Sequence, residues 1–587
     1  MTLKFNFSWK LPSPDPFALK WISVWSPRYL VLMSLEAVDF SKWFCRKWQN
    51  TEHVLTAYTF QYCSRECQKA HWPIHKHDCK SPLMKSTWTP GWVREKRQPT
   101  FVTDGPPMSQ YGRKKYLWGN VSAIDILNLG KNEVSVEQDF SILFAASGDL
   151  RNVVKSVNSM VFFLSARRDI VINDIDIDIV ARNAILLLVA MNFPAEEAAS
   201  MMLHLWYSAL VPQGLVDRLQ KKIMPLVQDV CTKIREKPST SLQSKTWRCG
   251  PTSLRLVLQK QEWDKVLLYF QVPDTLSADQ AQKIRVSTTL ARMDHVDRAL
   301  FSQQPGWRVG MMKFREDGIL LPFGASRHSF KQPNPTFYHV TDDWPMMDSA
   351  EPLNGWAARD VRAKASVKND LYGGLALHIV HNLTEFCHNI QLYPLRFQLF
   401  QVDARALPNM VRDIGLPDTR FDRIEVSNIT DLCHLGPAAT LSTFGPMLKR
   451  KAQNPHATLL TLFINAVHES ITPLDEIGGL QADLKKVMRY IPFSPNMMRD
   501  KTSPQMIKVI EARMMFRDFD ELFERYMKAH SLPQIGRAAG LEMKDRNTIV
   551  DPFPFRLSKN ATQEEFDMKV CDGASGGERY VEWRNLE

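Results

Sequence analysis

The chain has 587 residues, of which 44% are hydrophobic, 10% aromatic and 23% charged, a composition that excludes wholesale disorder and fibrous repeats. Lys and Arg number 74 and Asp and Glu 63, a formal net charge of +11. No apolar run approaches the roughly 18–20 residues of a membrane helix, and Met1 to Lys20 lacks the apolar stretch of a signal peptide. A soluble intracellular protein, cytoplasmic or nuclear, with no membrane partner is therefore expected.

Residues 1–60 carry five Trp and no clear periodicity, and stay unassigned. Residues 61–80 concentrate Cys and His. Residues 81–116 read as a basic Pro-rich linker, with Pro82, Pro90, Pro99, Pro106 and Pro107 among charges and Gly. Residues 41–118 hold fourteen Lys or Arg and five Asp or Glu, so +9 of the +11 lies here and the other 509 residues are near neutral. That basicity suits acidic partners, nucleic acid among them.

From Trp118 the texture changes. Ser141 to Ala146 is an apolar run of strand length, Ser147-Gly148-Asp149 breaks it, and Leu150–Val157 reads as a helix. Ile170 to Asp174 is a second strand and Ile179–Met191 a second helix. Ser277 to Gln280 is a capping box opening a helix. Short strands return at 397–403, 421–428 and 458–464, with a helix at Ala439–Lys451 between the last two. The tail from about 480 is helical, with Met506–Ala529 its longest candidate. Strands alternating with helices predict an α/β body with a mainly parallel sheet. Residues 117–194 and 396–480 would form its two halves, around a mostly helical insertion at 195–395 and before a helical tail at 481–587.

The nine cysteines are odd in number and thinly spread, which does not read as a disulfide framework. Cys63, Cys67, His75 and Cys79 stand apart from the rest. Cys63 and Cys67 lie i, i+4, as do His75 and Cys79, so each pair can share one face of a short helix and aim two donors at one point. Thiolates with imidazole favour zinc.

The run Tyr62 to Cys79, YCSRECQKAHWPIHKHDC, resembles the second half of the MYND zinc finger. The resemblance implies a cross-braced, two-zinc module that binds proline-containing peptide segments of partner proteins. It also implies two upstream Cys pairs, whereas residues 41–62 offer only Cys45 and His53. Three outcomes follow: one improvised site from Cys63, Cys67, His75 and Cys79; a metal-free finger; or residues 1–60 that are not the natural upstream sequence. The patternless first segment favours the third.

In the body, strand, tight turn and helix at 142–154 place free backbone N–H groups beside the carboxyl end of a strand. About 25 residues on, Asp174 ends the second strand, where an acid can bind a ribose diol. These segments resemble S-adenosylmethionine-dependent methyltransferases, with their Rossmann-like sheet. The resemblance implies Gly148 and Asp149 near the methionine part of the cofactor, Asp174 near the ribose, Asp403 (in Val402 to Pro408, VDARALP) near the adenine, and Asn428 lining the site. The first turn has one glycine where that family has two or three, and roughly 200 residues separate the second and third strands, far beyond an ordinary connection.

Taken together, Trp118 to Asn120, Ala123 to Glu133, Phe144 to Val154, Ile172 to Leu188 and the VDARALP segment resemble a chiefly fungal family of MYND-finger proteins. Its core is similar to axonemal dynein assembly factors with a degenerate methyltransferase-like domain. The resemblance implies a scaffold or assembly role. Three readings stand: a non-catalytic interaction protein, an S-adenosylmethionine-dependent methyltransferase, and a nucleic-acid-associated regulator working through 41–118. His378, His381 and His388 read as packing or surface residues, and Cys433-His434 beside Asp431 as a weak nucleophile pair.

Overall fold

The computed structural model describes residues 80–103, 111–133, 138–160, 166–340, 343–413, 420–492, 500, 502–572 and 576–587, with 55–57, 60–62 and positions 65, 69, 72, 73, 76, 77 and 79. Nine strands join in one sheet. In chain order they are β1 (Phe140–Phe144), β2 (Arg168–Asp174), β3 (Leu242–Cys249), β4 (Thr252–Gln259), β5 (Leu395–Gln401), β6 (Arg423–Glu425), β7 (Thr458–Phe463), β8 (Leu541–Met543) and β9 (Arg579–Asn585). Across the sheet they run β8-β9-β7-β6-β1-β2-β5-β4-β3. The six from β7 to β4 are mutually parallel. β9, β8 and β3 pair antiparallel at the two ends.

The sheet separates two apolar cores, and the two-residue repeat of a strand explains how. Ile142, Phe144, Ile170, Ile172, Phe397 and Leu399 face one core, with helices α1 (Arg151–Ser159), α2 (Ile177–Asn192), α3 (Ala195–Tyr207) and α4 (Leu371–Leu392). Leu143, Ala145, Val171 and Phe400 face the other, with α5 (Leu407–Asp413), α6 (Gly436–Phe444) and the C-terminal helices. Both faces are covered, which is why the centres of β1 and β2, Ile142 to Phe144 and Ile170 to Ile172, read as continuous apolar runs.

Several elements depart from expectation. The helix expected at Ala439–Lys451 is α6, closed by Gly445-Pro446, because proline cannot continue the ladder. The strand expected over 421–428 is only β6; Ser427 beyond it takes a positive φ of 52°. Met506–Ala529 resolves into two helices, Pro504–Arg513 and Asp520–Ala529, with Met515 and Phe519 buried between them. The expected capping box at Ser277 is formed, each side chain bonding the other's backbone N–H. The insertion supplies β3 and β4, which lengthen the sheet, and the tail supplies β8 and β9.

The segment expected as a linker packs against the body where it is described. Trp92 is buried, the Gly91 N–H donates to Asp297 at 2.6 Å, and Arg97 makes a two-pronged pair with Asp294 at 2.6 and 2.8 Å. Arg113 pairs with Asp343 at 2.6 Å, and Lys115 with Asp178. Among the described residues, no helix is long and apolar enough to cross a membrane.

Candidate functional site

β1 leads through α1 to β2 on one side, while β6 lies on its other side. The order of the sheet therefore reverses at β1, and the carboxyl ends of β1 and β6 border the place where open α/β sheets bind ligands. Ala145 N–H donates to the Glu425 carbonyl at 2.8 Å, and Ser147 N–H to the Asn173 carbonyl at 2.9 Å. The chain then turns at Gly148 with a φ of +55°, a conformation glycine adopts without penalty. A Cβ built there would meet nothing within 4 Å, so that side of the turn is open.

Asp174 sits directly against this turn. One carboxylate oxygen accepts the Gly148 N–H at 2.9 Å and the other the Asp176 N–H at 3.0 Å. Burial pushes its carboxyl up, against the pull of those N–H groups. Asn183 of α2 donates to the Gly148 carbonyl at 2.8 Å. Two residues far apart in sequence, Gly148 and Asp174, are thus brought into contact.

Asp149 is committed elsewhere. Its buried carboxylate accepts the Gly119 N–H at 2.9 Å and the Arg151 Nε at 2.6 Å. Arg151 continues to the carbonyls of Val121 and, at 3.2 Å, Gly355. The segment after Trp118 is laid along α1 in this way, with Ile124 N–H on Asn152 at 3.0 Å and Ile126 N–H on Ser156 at 3.1 Å. Asp403, at the end of β5, faces Arg405 at 2.6 Å, and that guanidinium holds its carboxyl down at about 2. Asn428 donates to Asp431 at 3.3 Å; Asp431 in turn accepts the N–H groups of Ile464 at 3.1 Å and Asn465 at 3.2 Å.

Three residues at this end of the sheet escaped sequence reasoning. Asn173 donates to the carbonyls of Ala145 at 2.9 Å and Val402 at 3.0 Å, clamping β1 to β5 across β2. Asn183 holds the turn. Glu425, the last residue of β6, is buried, and burial pushes its carboxyl up to about 7 while it accepts the Ser427 N–H at 2.7 Å. A polar residue closing an otherwise apolar strand, as in Ile170 to Asn173 and Ile424 to Glu425, is the signal that would have found two of them. Of the weaker candidates, His378 is buried and pushed down to about 4, and Cys433 is exposed beside the Asn465 amide at 3.5 Å.

A carboxylate offers about four acceptor positions. Asp174 keeps some of them and Gly148 has an open side, whereas Asp149 and Asp403 each face an arginine of this chain.

Of the four expected zinc ligands, Cys63, Cys67 and His75 lie outside the described residues, and Cys79 is half-buried. Three thiols and one imidazole are a recognised structural zinc set, so the chemistry of the donors fits the metal. Among the described residues, no group of three or more His, Cys, Asp or Glu is placed to hold a metal ion. Just upstream, residues 55–57 and 60–62 pair as a short antiparallel hairpin.

Two family models match the chain. One, described as a MYND finger, matches residues 56–79, near the N-terminus. The other, described as a domain of unknown function (DUF4470), matches residues 117–211, from just before the Gly119 contact through α3. No curated protein and no solved structure matches the chain. MYND fingers bind zinc and generally mediate protein–protein interactions, and that supports both properties for the N-terminal module.

Proposed function

We propose that the chain is a protein-interaction or assembly protein, in which the finger recruits a partner and the α/β body serves as a non-catalytic, methyltransferase-like scaffold. The observation that carries the scaffold half is the fate of Asp149. At the turn where a cofactor-binding sheet presents groups to a ligand, this acid joins Arg151 in fastening the chain's own residues 119–126 to α1. Numbered by the β1 start, the strands from β5 to β7 follow the order 3-2-1-4-5 of doubly wound sheets, which supports a Rossmann-like ancestry. The division into finger at 61–80, sheet halves at 117–194 and 396–480, insertion at 195–395 and tail at 481–587 belongs to the same reading.

The finger's partner is proposed to be a proline-containing peptide segment, on the MYND match together with the aromatics Tyr62 and Trp72. The test is binding of the full chain to an array of proline-containing peptides, with Cys63→Ser and Cys79→Ser variants alongside. Capture lost in both variants, with about one zinc per chain lost too, is the expected result. Capture unchanged in both would contradict the recruiting role.

The open side of Gly148 beside Asp174 favours a second reading, an S-adenosylmethionine-dependent methyltransferase. The nucleic-acid reading has less behind it, since Arg97, Arg113 and Lys115 of the basic region already pair with acids of the body.

A further inference from the structure

The helices Met293–Ser302 and Pro504–Arg513 border a cleft of about 480 Å³, a volume in the range of small-molecule sites. Its lining is mixed and includes the carboxylates Glu476 and Glu511. Ile471, Met514, Met515, Phe555 and Val570 give it an apolar body, and Lys508, Arg513 and Arg517 give it cations.

The cations are incompletely partnered. Arg513 and Arg517 are each only 7% exposed, and both lean on one half-exposed carboxylate, Glu476, at 3.7 and 3.0 Å. Arg513 also reaches Asp483 at 3.4 Å. The Arg513 Nε and Arg517 Nη2 are buried without a hydrogen-bond partner among the described residues. Lys508 is half-buried, and desolvation pulls its ammonium below the ordinary lysine range. It makes no ion pair or hydrogen bond among the described residues. The nearest carboxylates are already held, Glu511 by Arg298 at 2.6 Å and Ser302 at 3.1 Å, and Asp567 by Gln304 and Gln563. A desolvated ammonium and two guanidinium nitrogens left without acceptors are costly unless an anion joins them.

We propose that this cleft binds an amphipathic organic anion, its phosphate or carboxylate head between Lys508, Arg513 and Arg517 and its apolar body against Met515, Phe555 and Val570. Planar guanidinium forks and a point-charge ammonium together suit a multi-oxygen head group. The apolar wall excludes a bare inorganic ion as the preferred occupant.

Calorimetry on the full chain tests this with hexyl phosphate, hexanoate, inorganic phosphate and 1-hexanol. One or both amphipathic anions bind at one site, the stronger of the two identifying the head group, while inorganic phosphate and 1-hexanol bind more weakly. Lys508→Met lowers the affinity at least about tenfold, the worth of one charge-assisted hydrogen bond, and Lys508→Arg retains most of it. Without any probe, Lys508→Met also raises the thermal midpoint, because it removes a half-buried charge that has no ion pair among the described residues. No binding of either amphipathic anion to the wild-type chain, equal binding by Lys508→Met, or equal binding of 1-hexanol would overturn the proposal.

Discussion

The carboxyl end of the sheet and the cleft beside Lys508 treat their polar groups in opposite ways. At the sheet, Asp149, Asp403 and Asp431 face groups of the chain itself, and Asp174 accepts two backbone N–H groups. In the cleft, two guanidinium nitrogens and an ammonium have no acceptor among the described residues. A turn that resembles a ligand position is here held by the chain's own contacts, while the cleft proposed for an anion lies where no sequence motif points. The comparison teaches that the partners of a loop's polar groups, and not its resemblance in sequence, decide what the loop can still bind.

That contrast predicts a graded series of effects on stability, measured by denaturant unfolding. Asp149→Ala leaves the Arg151 guanidinium and the Gly119 N–H buried without their carboxylate, and should cost about 3–5 kcal/mol. A loss below about 1 kcal/mol would mean the acid is not structural. Asp174→Ala removes two acceptors from the backbone of the turn and should cost about 1–3 kcal/mol. Glu425 tests the sheet in the other direction. Its folded carboxyl, up at about 7, lies above the unfolded value of 4.5, so the folded state holds its proton more tightly. Stability from this residue is then present below pH 4.5 and is lost as pH rises towards 7. Glu425→Gln should stabilise the chain by about 1–3 kcal/mol at pH 8 and leave it nearly unchanged at pH 4.5; equal effects at both would contradict the burial argument. Asp403→Ala sits at the small end, because its partner Arg405 is largely exposed, and should change stability by less than about 0.5 kcal/mol.

Much of the fold was legible because the signals were local. β1, β2, β5 and β7 fall within a few residues of their apolar runs, and the Ser277 capping box was readable from two residues. The hairpin β3–β4 and the terminal strands β8 and β9 were missed for a physical reason. β4 and β9 join the sheet only by pairing with distant strands, and the outer β3, held by its hairpin partner β4, alternates exposed and half-buried residues without a strong apolar run. For the site, the contact of Gly148 with Asp174 emerges only in the folded chain, and the fate of Asp149 depends on Gly119 and Arg151. No local pattern announces that contact. A Cβ at Gly119 would fall 1.4 Å from the Arg151 guanidinium, which explains the glycine after Trp118. The linker expectation met the same limit, since the charges of 81–116 looked free in sequence and find Asp294, Asp343 and Asp178 only in the folded chain.

The central claim is that the sheet is a scaffold whose acids hold the chain rather than a cofactor. Calorimetric titration of the full chain with S-adenosylmethionine, in wild type and Asp174→Ala, tests it most directly. The account predicts no heat of binding in either protein. Saturable one-site binding to the wild type that disappears in Asp174→Ala, with that variant still folded, would contradict it and return the crevice at Gly148 to a methyltransferase.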